Sequence, residues 1–279
     1  MKITRITAIG RPIDPSYPTN LAISIWALVV TLVATILQVL AGEGWLPGAL
    51  QGVNVGLAVF LAWATCRELD PDHALSAFVA AGLATLGLLL PELPQLGAIL
   101  WLLLAVRMVN RTVGLPATVL DSLGVLGLGI WFSYRGNWGY GAVTVIALLL
   151  DSQLPDPQRR QLVLAGVGAV AVGAVVVLGK TIWRSGGAAV WPGLLAVGMC
   201  AIFAPVLVAA RSVESVGDET GERLSGIRVQ AGQAIALLAG VQAAFWSGEP
   251  GLVAMMPLWA AVLGASAYWL FSKVKGSSI

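Results

Sequence analysis

The chain has 279 residues, 58% of them hydrophobic and 11% charged, with a mean hydropathy of +0.86; an ordinary soluble domain is about 45–50% apolar and about 25% charged. This composition excludes a soluble globular protein and makes the lipid bilayer the chief partner. With 16 Lys and Arg against 14 Asp and Glu the net charge is +2, so the basic field that nucleic-acid binding needs is missing. Two cysteines and one histidine cannot supply a disulfide framework or a closed zinc site.

Residues 1–20 carry Lys2, Arg5 and Arg11 and then Pro12, Pro15 and Pro18, which reads as a basic, non-helical arm on the cytoplasmic side. A spanning helix needs about 20 mostly apolar residues, because the hydrocarbon core is roughly 30 Å thick and each residue rises about 1.5 Å. The first such run, 21–41, leads into Gly42-Glu43-Gly44-Trp45 and is longer than the apolar stretch of about 7–15 residues in a cleaved signal peptide. Full-length runs follow at 46–66, 74–90, 116–134, 162–179, 189–210, 229–246 and 252–271, with shorter ones at 95–109 and 138–150. The expected fold is an all-α integral membrane protein, a polytopic bundle of about ten transmembrane helices. It forms one membrane domain over residues 21–272, followed by a cytoplasmic tail over 273–279.

Cytoplasmic loops collect Lys and Arg. With the N-terminus inside and all ten runs crossing, Arg135, Lys180 and Arg184 face outward and the other 13 of the 16 basic residues face inward. If 138–150 does not cross, the division becomes 8 to 8. The short sixth run is therefore expected to span, leaving both termini cytoplasmic in an inner (cytoplasmic) membrane. Tryptophan, which favours the membrane boundary, agrees: Trp45, Trp131, Trp138, Trp183, Trp191 and Trp246 fall at expected outer ends and Trp26, Trp63 and Trp269 at inner ones, while Trp101 sits in mid-helix. Outer connections are tight, whereas the inner stretches 67–73, 110–115, 151–160 and 211–228 hold most of the ionic residues.

Small residues four apart, Ala165, Ala169 and Gly173 or Ala236, Gly240 and Ala244, are expected to let helix backbones approach closely. The amides Gln38, Gln51, Asn54, Gln233 and Gln242 should find partners across helices, as glue or along a polar path.

Two constellations could carry chemistry. In Arg107-Met-Val-Asn110-Arg111 the guanidinium groups are four apart on one helix face, and Pro116 then suits the first turn of the fifth helix. Two cations beside a helix N-terminus form a candidate binding site for a substrate anion, such as a phosphate, a diphosphate or a lipid headgroup, with Arg107, Asn110, Arg111 and Asp121 as the residues involved. Asp121, expected about one and a half turns into the fifth helix, needs a partner, and Arg107 or Arg111 is near in sequence. The second constellation is acidic: Asp70 and Asp72 after the second helix and Asp151 and Asp156 after the sixth could hold Mg²⁺ and through it a diphosphate. That placement resembles the UbiA-type membrane prenyltransferases, whose aspartate-rich motifs follow the second and sixth helices. The resemblance implies a transferase acting on a lipid-linked prenyl diphosphate at the cytoplasmic face. Their pattern is close to Asn-Asp-x-x-Asp-x-x-x-Asp, whereas these loops read Arg67-Glu-Leu-Asp-Pro-Asp72 and Asp151-Ser-Gln-Leu-Pro-Asp156.

His73, Cys66 and Cys200 have no base or nucleophile pattern around them, and no Gly-rich nucleotide loop appears. Helix count and chain length resemble the drug/metabolite transporter superfamily, which implies a small-solute transporter with a five-plus-five organisation. The readings are thus a transporter or permease, a membrane-embedded transferase, and a non-catalytic membrane subunit or scaffold.

Overall fold

The computed structural model describes residues 6–89, 92–179 and 190–276. Lys2, Arg5, Lys180, Trp183 and Arg184, on which the charge and tryptophan readings partly rest, lie outside the described residues. The elements are α1 (Pro18–Leu40), α2 (Trp45–Leu69), α3 (Ala74–Thr85, followed by a 3₁₀ turn Leu86–Leu89), α4 (Leu96–Asn110), α5 (Val119–Tyr134), α6 (Gly139–Asp151), α7 (Arg159–Gly179), α8 (Val190–Ala209), α9 (Gly226–Ser247), α10 (Glu249–Ala254) and α11 (Met256–Gly276).

The chain is a multi-pass α-helical membrane protein. Ten spans are expected from the sequence, but among the described residues five helices are long and apolar enough to cross on length and composition: α1, α2, α7, α8 with its 3₁₀ extension to Ser212, and α9. The helices α3, α4, α5 and α6 are apolar but shorter, and local chemistry explains much of the shortening. Run 116–134 becomes helical only at Val119, because Thr118 caps α5: its hydroxyl accepts from the Asp121 backbone N–H while the Asp121 carboxylate accepts from the Thr118 N–H. Run 252–271 is divided between α10 and α11 just before Pro257, whose ring cannot donate to the preceding turn. The Gln95 backbone N–H takes up the carbonyl of Ala254 at the end of α10. Helix α11 continues to Gly276, past the expected boundary at 272, and α1 starts at Pro18, inside the expected arm.

Residue contacts divide the chain into two compact units. One gathers Met1–Arg11, Trp101–Gly198 and Leu207–Leu252, the other Pro12–Leu100, Met199–Val206 and Val253–Ile279. The cut does not fall at mid-chain, as a five-plus-five arrangement would place it.

In the second unit the closest approach is between α1 and α2. Gly48, Gly52 and Gly56 recur every four residues along α2 and face Val39, Thr35 and Thr31 of α1. A Cβ on Gly52 would stand 2.6 Å from the Thr31 carbonyl oxygen, and one on Gly56 would stand 2.7 Å from that of Ala27. Without side chains on α2 the backbones meet, which drives association where lipid offers no hydrophobic force. Gly264 of α11 sits as tightly on Ala80 of α3.

In the first unit α4, α5, α6 and α7 alternate in direction, and α9 starts at the same end as α7. The end of α4, the start of α5, the end of α6 and the starts of α7 and α9 meet through Arg111, Ser122, Asp151, Gln161 and Arg228. Helices α5 and α6 touch through Gly129 against Thr144 and Gly141 against Ser133. Fully buried Trp101 of α4 donates its indole N–H to the Thr144 hydroxyl at 2.9 Å. Of the expected small-residue rows, Ala236, Gly240 and Ala244 are all buried. On α7 the buried face is instead Gln161, Ala165, Gly168 and Val172, leaving Ala169 and Gly173 exposed. A spacing of four follows one helix face only approximately, and the polar contact of Gln161 decides which face turns inward.

Gly52→Ala and Gly56→Ala should each destabilise the protein by about 1–3 kcal/mol through overpacking, read as a lower melting temperature in detergent. Gly124→Ala and Gly127→Ala on α5, where a Cβ meets nothing within 4 Å, should be neutral or stabilising by up to about 1 kcal/mol, because a mid-helix glycine costs that much.

Candidate functional site

Charge gathers at one end of the first unit. Asp151, the last residue of α6, is 0% exposed, and its Oδ1 accepts from Arg111 Nη2 and Arg228 Nη1, each at 2.8 Å. Its Oδ2 accepts from Gln161 Nε2 at 3.1 Å, and the same amide donates to the Ser122 hydroxyl at 2.9 Å. Three other chain segments therefore reach one carboxylate, and α5 joins them through the Ser122 hydroxyl.

Local structure makes these charges depend on one another. A carboxylate at a helix C-terminus and a cation in a helix first turn both oppose the helix dipole; Asp151 ends α6 and Arg228 is the third residue of α9. Each relieves the other. Arg228 spends its remaining donors on carbonyls, Val109 at the end of α4 (2.8 Å) and Pro155 and Asp156 in the α6–α7 loop (2.8 and 3.3 Å). Arg111 follows α4 with φ 54°, and the turn that begins there swings its guanidinium under the helix end, where it also meets Asp156 Oδ2 at 2.5 Å. Two cations and two anions make the group neutral in sum.

Of the residues expected to bind an anion, Arg111 enters this network. Asn110 is buried and its side-chain oxygen accepts from the Thr112 N–H. Arg107 donates to the Ile9 carbonyl at 3.3 Å. Asp121 is not placed against either arginine. Besides capping α5 it accepts from the Thr7 hydroxyl at 2.5 Å and the Ala8 N–H at 2.8 Å, so three neutral donors take the place foreseen for a cation. That contact pins the N-terminal arm, whose Ala8 and Ile9 are buried, and an ion pair from Arg11 to Asp218 continues it. The α8–α9 loop docks here as well, Glu219 N–H donating to the Val113 carbonyl at 3.0 Å. A groove of 520 Å³ beside Thr7, Ile9 and Asp121 is otherwise walled by apolar residues of α4 and α5.

The loop aspartates are not arranged as a chelate. Among the described residues no group of three or more His, Cys, Asp or Glu converges. Asp151 faces two guanidinium groups that would repel Mg²⁺, and Asp156 is paired with one of them, Arg111. In the second unit Asp70 bonds through Oδ1 to His73 Nδ1 at 2.8 Å, while its Oδ2 is buried without a partner among the described residues. Asp72 has a partner of its own. Burial pushes the Asp70 carboxyl above the usual carboxylate range, and the His73 bond pulls it partly back. The His73 ring also lies 5.4 Å from that of Tyr268.

Sequence reasoning passes over Arg228 and Gln161. Both are polar residues opening long apolar helices, a signal that identifies a buried partner but not which one. No protein-family model, curated protein or solved structure matches this chain.

Asp151→Ala should cost about 3–5 kcal/mol of stability, because it leaves the buried Arg228 guanidinium without an anion; Arg228→Ala should cost less, because Arg111 still pairs with Asp151, and so should removal of Asp156, whose side chain is 73% exposed. Thermal unfolding in detergent checks the order. The folded chain holds the Asp70 proton more tightly than an unfolded chain does, so this group's stabilisation is full in acid and is lost as pH rises through its raised pKa. Asp70→Asn should flatten that part of the melting-temperature profile against pH.

Proposed function

We propose that this chain is a small-solute or metabolite transporter, a permease of the inner (cytoplasmic) membrane with about ten crossings and both termini inside. The observation that carries the reading is the sealed network of Asp151, Arg111 and Arg228. Ionisable groups within a membrane domain are expensive and are kept where they bind, gate or couple, whereas a scaffold needs none. The network joins the ends of α4 and α6 to the starts of α7 and α9, so parting it would open that end of the unit.

The alternating directions of α4, α5, α6 and α7 support crossings by the short helices, since each returns the chain to the opposite end. Arg11, Arg107, Arg111, Arg160, Arg223 and Arg228 all bond at the network's end of the unit, while Arg135 follows α5 at the other. That asymmetry supports a cytoplasmic network. Arg107 and Asn110 flank Arg111 and complete the polar surroundings of the proposed gate, and Asp121 holds the arm beside it. The prenyl-diphosphate transferase has no such support, because, of the carboxylates it requires for Mg²⁺, Asp151 and Asp156 are engaged by guanidinium groups and Asp70 is bonded to His73.

In a background lacking Cys66 and Cys200, a Glu249→Cys probe should react with an impermeant thiol reagent from outside, and a Gln153→Cys probe only after permeabilisation. Purified protein in liposomes should accelerate flux of one class within a panel of sugars, amino acids and organic acids, and Asp151→Asn at matched folded yield should abolish it. Labelling of Gln153→Cys from outside overturns the orientation, and flux no greater than in protein-free liposomes overturns the transporter.

A further inference from the structure

Among the described residues two non-glycine side chains stand on left-handed backbones, Arg111 (φ 54°) and Asp156 (φ 58°). They are each other's ion partners at 2.5 Å. Non-glycine residues rarely adopt this conformation, and strain of this kind persists where the surroundings over-determine it.

The two partners are unequal. The Arg111 side chain is 6% exposed and that of Asp156 is 73% exposed. Asp156 can release its grip and be solvated at once, so its bond is a weak, exchangeable one. Arg111 has no such freedom, because a buried guanidinium must keep an anion. Asp151 is fully buried and shared between Arg111 and Arg228, so it neutralises only one of the two cations. Asp156 supplies the second negative charge from the water side.

One further donor points to an incomplete site. The Nε of Arg111 is buried without a partner among the described residues. A guanidinium whose Nε–H is unused and whose Nη1 is held by an exposed carboxylate supplies donors for a planar or tetrahedral oxyanion.

We propose that Asp156 is a displaceable occupant, and that Arg111, backed by Arg228, binds the carboxylate or phosphate group of the transported solute in its place. The inference rests on the transporter reading for the ligand being cargo, and on the geometry alone for the site. Exchange of Asp156 for a solute anion keeps the network neutral, so the buried arginines stay compensated throughout. The α6–α7 loop, released with Asp156, then reports occupancy. Arg228 also holds that loop through the Pro155 and Asp156 carbonyls, so release of the carboxylate need not unfold it.

The test is binding of inorganic phosphate and of succinate to the detergent-solubilised full chain, by calorimetry, for wild type, Asp156→Asn and Arg111→Lys. A tethered competitor acts at an effective concentration in the millimolar range, so removing its charge should tighten binding about tenfold or more. Arg111→Lys keeps the charge without the planar fork, and should weaken binding while the melting temperature stays near wild type. Unchanged or weaker binding by Asp156→Asn overturns the proposal, as does absence of binding in all three proteins. Nanodiscs with anionic and with zwitterionic lipid form the other arm, and anion recognition confined to anionic nanodiscs would make the ligand a headgroup and overturn the solute. Phosphate or succinate binding without flux in liposomes would sink the transporter and leave the oxyanion site standing; flux without anion binding would do the reverse.

Discussion

A carboxylate at the C-terminal end of a helix and out of water is unfavourable twice over, by desolvation and by the negative end of the dipole. Asp151 is tolerated because two guanidinium groups and an amide reach it from three other segments. The reach fixes more than a charge: it sets where α4 stops, where α9 begins, and which face α7 turns inward. A buried ion pair is not a strong source of stability in itself. Its value here is specificity, since a misplaced helix would strand a charge.

The same end of the unit is built by a second carboxylate with a different economy. Asp121 satisfies itself with backbone and hydroxyl donors, closing the first turn of α5 and holding residues 6–8 against it. No cation is needed, so Arg107 is left to bond the Ile9 carbonyl of the arm. Two aspartates in neighbouring helices thus do separate jobs. One ties helix ends through charge, and the other fastens an arm through neutral hydrogen bonds.

In the second unit, packing is steric. The glycines of α2 bring its backbone onto α1, while the outward faces of α1 and α7 present Leu28, Leu32, Val163 and Val170 to lipid. The face of α2 turned to α1 has no room for a methyl group.

Much of the fold is legible in the residues. Composition alone places the chain in a bilayer, and apolar runs bounded by Gly, Pro and charge locate the helices to within a few residues. Thr118 and Asp121, three apart, spell a capping box that would have started α5 correctly and accounted for Asp121 without an arginine. What no reading along the chain could decide is which charge meets which. Arg111 lies 10 residues from Asp121 and 40 from Asp151, and nearness in sequence favours the wrong partner, because a helix carries successive polar residues to opposite ends of the membrane domain and the return helix brings distant ones together. Periodicity, capping and hydropathy are local and survive in the sequence; the pairing of Asp151 with Arg111 and Arg228 exists only once four helix ends share one place.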